Sequence, residues 1–216
     1  MTVRTTPAVS VAALDRGVAA LVRISGAIAG AGEQEVRAVM SESLNDADPA
    51  AVEEIILQSY LFAGFPRALN AARAWRMVSG RKAPAGDIET ESADLDGWRR
   101  RGEKTCSVVY GDSYEKLREN IRDLHPALDD WMIVDGYGKV LSRTGVDLKT
   151  RELCIVAACA VAGQQRQLHS HLHGALNAGA TREEVAGALD AVSDLISSPS
   201  LERYRQLWKK VQSQVD

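Results

Sequence analysis

Apolar residues recur every three or four positions along almost the whole chain, and strand-type alternation is nearly absent, so the sequence predicts an all-α protein. The last apolar stripe, Leu201, Tyr204, Leu207, Trp208, Val211 and Val215, follows Pro199 and predicts an amphipathic final helix. Behind Pro66, residues Ala68, Ala71, Ala74, Trp75 and Val78 repeat that spacing with smaller side chains, and both tryptophans read as core anchors. The likeness is part of a longer one. Val52, Pro66, Trp75 and Val78 stand 133 residues before Val185, Pro199, Trp208 and Val211, which predicts an internal repeat. Helix-start signals agree with it: Thr181 to Glu184 forms a capping-box pattern after Gly179, and Asp48-Pro49 supplies an N-cap and a first-turn proline. Between the two apolar parts, 12 of the 27 residues from Ser79 to Thr105 are charged, and glycine and proline interrupt them. The expected organisation is a degenerate helical repeat over 1–78, a linker over 79–105 and a second domain over 106–216, with Arg99-Arg100-Arg101 as solvated surface.

Composition narrows the function classes. Counting 31 alanines against 2 phenylalanines points to closely packed helices with small contacts. A net charge of −3, with no basic run longer than three residues, argues against nucleic acid as a partner. Cys106, Cys154 and Cys159 are odd in number and form no CxxC pair, which argues against a disulfide framework and a structural zinc site. The longest apolar run, Leu153 to Ala162, is half the ~20 residues of a membrane-spanning helix, and the segment MTVRTTPAVS lacks an apolar signal core. A cytoplasmic protein without membrane contact is expected.

Candidate chemistry concentrates between Thr150 and Thr181. Thr150-Arg151-Glu152 opens a helix that is apolar all round to Ala162, so it is expected to be buried with Glu152 in its first turn at the positive end, and Gly163 ends it. The next helix, beginning near Gln164, carries His169, His171 and His173. At about 100° per residue, His169 and His173 share a face and His171 points away, so one metal cannot take all three. No HExxH pattern or third ligand accompanies the His169/His173 pair, and no metal is expected. His171 shares its face with Gln164 and Gln167 instead.

The segments Gly136 to Leu153 and His171 to Val185 closely resemble the carboxymuconolactone decarboxylase family, whose superfamily includes the thiol-dependent alkylhydroperoxidases. The likeness spans about Gly102 to Ala191, and Glu54 to Val78 looks like the family's closing helical hairpin placed N-terminally. The resemblance implies an all-α fold, assembly into homo-oligomeric rings of three or six subunits, and His171 and Glu152 as the acid–base pair. In the peroxidase branch two cysteines stand seven and four residues before the histidine; those places here are Gln164 and Gln167. Glutamine supplies no thiolate, and peroxide reduction needs one. The decarboxylase branch implies chemistry without cofactor on a small carboxylated lactone. A histidine would protonate the resulting dienolate, and Arg151, Arg166 or Arg143 would hold the substrate carboxylate, with Gln164 and Gln167 also lining the site. That branch usually carries a glutamate at the place of Gln167. In the first repeat, Ala19 and Ala38 occupy the places of Glu152 and His171, so that copy is expected to cover the second rather than to react. Two alternatives stay open: a peroxidase-like oxidoreductase that relocates its thiol to Cys159 or Cys154, and a non-catalytic oligomeric or ligand-binding protein.

Overall fold

A computed structural model describes residues 14–91 and 94–214; the segment MTVRTTPAVS and the end of the final stripe, Val215, lie outside the described residues. Helices α1 (Arg16–Gly30), α2 (Glu33–Glu42), α3 (Pro49–Ala63) and α4 (Phe65–Ser79) come first. A short α5 (Ile88–Glu91) leads to α6 (Leu95–Tyr110), α7 (Tyr114–Leu124) and α8 (Pro126–Trp131), which runs directly into a π-helical segment, Met132–Leu141. Then follow α9 (Leu148–Val161), α10 (Gln165–Asn177), α11 (Arg182–Asp190) and α12 (Ser198–Gln212). No strand occurs among the described residues, so the fold is all-α.

The repeat is visible in the helix boundaries. The Asp48 cap of α3 and the Thr181 cap of α11 are 133 residues apart, and the same offset carries the first and last residues of α4 onto those of α12. α1 and α2 fall on α9 and α10 under that offset to within two residues, so the first copy holds all four helices of the unit. At the centre α1 packs along α9, while α3 crosses onto α9 and α11 onto α1. The local signals act as their chemistry requires: Asp48 accepts from the Ala51 amide, and Thr181 and Glu184 close a reciprocal capping box. Trp75 and Trp208 are both buried, and every residue from Thr150 to Ala160 is inside.

The stretch expected as a linker differs in its second half. From Leu95 it is helical, because Asp94 caps α6 and Gly97, Gly102, Cys106 and Val109 give that helix a buried stripe beneath its charged outer face. Gly102 and Gly138 let it dock backbone to backbone on the π-helical segment. A Cβ at Gly102 would stand 2.0 Å from the Ile133 carbonyl oxygen, and one at Gly138 would stand 2.1 Å from that of Trp98. Charged composition therefore marked the outside of a helix rather than a spacer.

An ion network ties the copies together. Arg151 on α9 is fully buried, and its Nη2 donates to Glu54 Oε2 at 2.7 Å, its Nη1 to Gln58 Oε1 at 3.2 Å and its Nε to the Val146 carbonyl at 3.1 Å. Gln58 Nε2 donates back to the Arg151 carbonyl. Arg143 pairs with the same Glu54 at 2.8 Å and with Asp87 at 2.7 Å. Burial pushes the Glu54 carboxyl up, but hydrogen bonds from Arg143 and Arg151 outweigh it and hold it below the usual carboxylate range. Hydrogen bonds from Arg143 bring Asp87 down to about 2. Glu54→Ala leaves the Arg151 guanidinium buried without its carboxylate and is expected to cost about 3–5 kcal/mol in urea unfolding. Because Asp87 titrates lower when folded, its contribution is complete above the ordinary aspartate range near 4 and is lost as the pH falls through about 2. The wild-type urea midpoint should therefore fall more steeply between those pH values than that of Asp87→Asn.

Candidate functional site

Asp147 caps α9 by accepting from the Thr150 amide, so the helix begins at Leu148. That start places Glu152 in the second turn rather than the first, out of reach of the exposed N-terminal amides and in the middle of the core. Its carboxyl group meets α10, where His171 Nδ1 and Glu152 Oε2 share a hydrogen bond at 2.8 Å. Glu152 is fully buried and His171 is 5% exposed. With Nδ1 so committed, Nε2 is the nitrogen left to exchange a proton. Glu152 Oε1 is also buried, and it has no hydrogen-bond partner among the described residues.

Two details hold this pair in place. Gly174, one turn after His171, keeps room for the carboxylate: a Cβ there would lie 2.6 Å from Glu152 Oε2 and 2.7 Å from Val109 Cγ1. Across the pair, the Phe62 ring at the end of α3 meets the His171 ring edge-on, with centroids 5.6 Å apart. The first copy thus contributes a cover to the second. Glu54, Gln58 and Phe62 lie four residues apart on one stripe of α3; the first two grip Arg151, and the third lies against His171.

The other expected site residues divide. Gln164 Nε2 donates to the carbonyl of Phe62, the residue whose ring covers His171, at 3.3 Å, and its Oε1 faces Cys159 Sγ at 3.7 Å. Gln167 is exposed. Arg166 is exposed and lines a separate surface cavity of about 680 Å³ with His169 and Ser170. Arg151 cannot take a substrate carboxylate as placed, since its guanidinium is spent on Glu54, Gln58 and Val146; Arg143 is likewise held by Glu54 and Asp87. His169 and His173 meet ring to ring, centroids 5.1 Å apart, away from His171.

A tyrosine pair beside Glu152 is absent from the sequence-based site. The Tyr110 and Tyr137 rings meet edge-on with centroids 6.2 Å apart, and burial raises both phenols, Tyr110 to about 12, with the nearby Glu152 charge adding to the effect. Tyr137 lies inside the Gly136-Tyr137-Gly138 run, so a signal for one member existed; Tyr110 carried none.

Comparison with known proteins identifies the family. The model of the carboxymuconolactone decarboxylase family matches residues 130–210, which include both Glu152 and His171. Peroxisomal protein 2 of Schizosaccharomyces pombe is 30% identical over 160 residues, 71% of this chain and 74% of the relative. The chain belongs to the carboxymuconolactone decarboxylase family. Within the wider likeness, an uncharacterized 15.0 kDa protein of Paracoccus denitrificans is 30% identical over 95 residues, 43% of this chain and 71% of that one. The 4-carboxymuconolactone decarboxylase of Acinetobacter baylyi is 26% identical over 87 residues, 40% of this chain and 65% of that enzyme.

The thiols are poorly suited to peroxidase chemistry. All three are buried and free, and burial raises each: Cys106 to about 12, Cys154 and Cys159 further still. A thiol kept protonated is a weak nucleophile. Iodoacetamide at pH 8 should leave all three unmodified in the folded protein and label all three in urea, as intact-mass measurement would show.

Proposed function

We propose that the chain is an acid–base catalyst of the carboxy-lyase type, acting on a small carboxylated lactone or related keto acid. The supporting observation is the buried Glu152–His171 pair, joined at 2.8 Å and retaining an unpartnered carboxylate oxygen. A buried polar atom without a partner costs about 1–3 kcal/mol, a cost that a purely structural pair could avoid. In the proposed reaction the bond to the carboxylate carbon breaks and carbon dioxide leaves, with the bonding pair delocalised into a dienolate. His171 Nε2 then delivers a proton to carbon, while Glu152 orients the ring and stabilises its positive charge. Gln164, bonded to the carbonyl of the covering Phe62, is the half-buried polar side chain left for substrate contact.

A second reading, ligand binding without turnover, is favoured by closure of the pair: His171 is buried beneath Phe62. Association of identical chains into threes or sixes is part of the proposal and is supported by the exposed Leu124, Leu128 and Trp131 on α7 and α8. Native mass determined by light scattering tests it, and a monomer at micromolar concentration would reject it.

Loss of carboxymuconolactone absorbance in the ultraviolet is the direct assay. His171→Gln is expected to lower turnover by at least about 10²-fold with an unchanged melting profile. Full activity in that variant would rule out the catalytic role, whereas a wild type that binds the lactone without consuming it would establish the binding reading.

A further inference from the structure

The internal repeat supplies a control for every surface of the first copy, and one surface departs sharply from its counterpart. Between α2 and α4 lies a cavity of about 550 Å³, within the range of small-ligand sites. Its floor is apolar and buried, formed by Val36, Ala71 and Ala74. The second copy has the same groove: the residues lining the α10–α12 cavity, Gln165, Arg166, His169, Ser170 and Leu207, each stand 133 residues after one that lines the first. The backbone frame is therefore shared, and the differences lie in the side chains.

Cations are exchanged between the copies, since Glu33, Asn70 and Met77 stand where the second copy has Arg166, Arg203 and Lys210, while the floor and the opposite rim differ the other way. Where the second copy places Tyr204 and Leu207, the first places Ala71 and Ala74, which deepens the floor. Where the second copy places Ser170, Ser200 and Gln206, the first places Arg37, Arg67 and Arg73. None of these three guanidiniums has a carboxylate partner among the described residues. Arg67 donates to the carbonyls of Ile28 and Ala31, Arg73 donates to Asn70 Oδ1, and Arg37 makes neither a hydrogen bond nor an ion pair among the described residues. The one acid in the lining, Glu33, accepts from Asn70 Nδ2 at 2.9 Å. By contrast Arg23, Arg76, Arg118, Arg143 and Arg151 each meet an aspartate or glutamate.

We propose that this cavity binds a small organic anion, an aromatic or short aliphatic carboxylate or sulfonate, with its charge on Arg37 and Arg73 and its apolar body over Ala71 and Ala74. Three guanidinium groups with no paired carboxylate, against the single acid Glu33, above an apolar floor match such a ligand at both ends. The site is separate from Glu152 and His171, and the proposal stands without the catalytic one.

The test uses the full chain with two probes, the fluorescent aromatic sulfonate 8-anilinonaphthalene-1-sulfonate and octanoate. Expected are one sulfonate bound per chain, competition by octanoate, and weakening by raised salt. Exchanging residues for those of the second copy reads the assignment directly: Arg37→Ser with Arg73→Gln should weaken binding about tenfold or more, and Ala74→Leu should remove it. His171→Gln should leave it unchanged. The proposal is overturned by no binding to the wild type at millimolar probe, by binding that survives the arginine exchange, or by equal loss in His171→Gln. A native mass that drops in Ala74→Leu would also overturn it, by making the groove a contact between copies of the chain. Should Ala74→Leu fail to fold, the exchange of the two exposed arginines decides alone.

Discussion

A guanidinium with no access to water has to be answered inside the protein, and Arg151 is such a group. Its carboxylate comes from Glu54, 97 residues earlier and in the other copy of the repeat, so α3 cannot leave α9 without exposing a charge pair. That single requirement sets much else. Gln58, one turn further along α3, exchanges hydrogen bonds with Arg151 through both its side-chain amide groups. Phe62, one turn further again, arrives over His171. Since Glu152 is the next residue after Arg151, the grip on the arginine also fixes the rotation of the helix that carries the acid. The ion network and the acid–base pair are adjacent parts of one packing solution.

Much of this was legible in the sequence because it rests on local pattern. The all-α class, the helix starts at Asp48 and Thr181, the buried apolar helix and the opposition of His171 to His169 and His173 all follow from spacing within a few turns. What could not be read depends on distant partners. Arg151 looks the same in sequence whether it faces a ligand or Glu54. Gln167 shares the broad face of His171, but the buried stripe of α10 is centred on Leu168, Leu172 and Ala175. That centre leaves Gln167 a little over ~100° away and exposed, with Gln164 nearer the middle. The charged stretch before Thr105 hid a helix because its buried stripe is made of glycines, a cysteine and a valine, a weak apolar signal that works only through close backbone contact.

The two copies have divided their roles without losing a common frame. Ala19 and Ala38 stand where the second copy holds its acid and its histidine, so the first copy has no such pair. It retains the α3 stripe that covers the second copy's pair, and its own groove sets Arg37, Arg67 and Arg73 around a floor deepened by Ala71 and Ala74. The same frame thus supports a closed, partly unsatisfied polar pair on one side and an open, positively charged hollow on the other.

The fusion of the repeat into one chain has a genetic consequence. In an assembly of two identical subunits, a change in the covering helix would also alter the helix that bears the acid and the base, since both would be encoded by the same codons. Here Glu54, Gln58 and Phe62 are encoded separately from their counterparts Gly187, Ala191 and Leu195. A mutation in the cover therefore reaches one pair once, and selection can adjust the wall of the site without touching its chemistry.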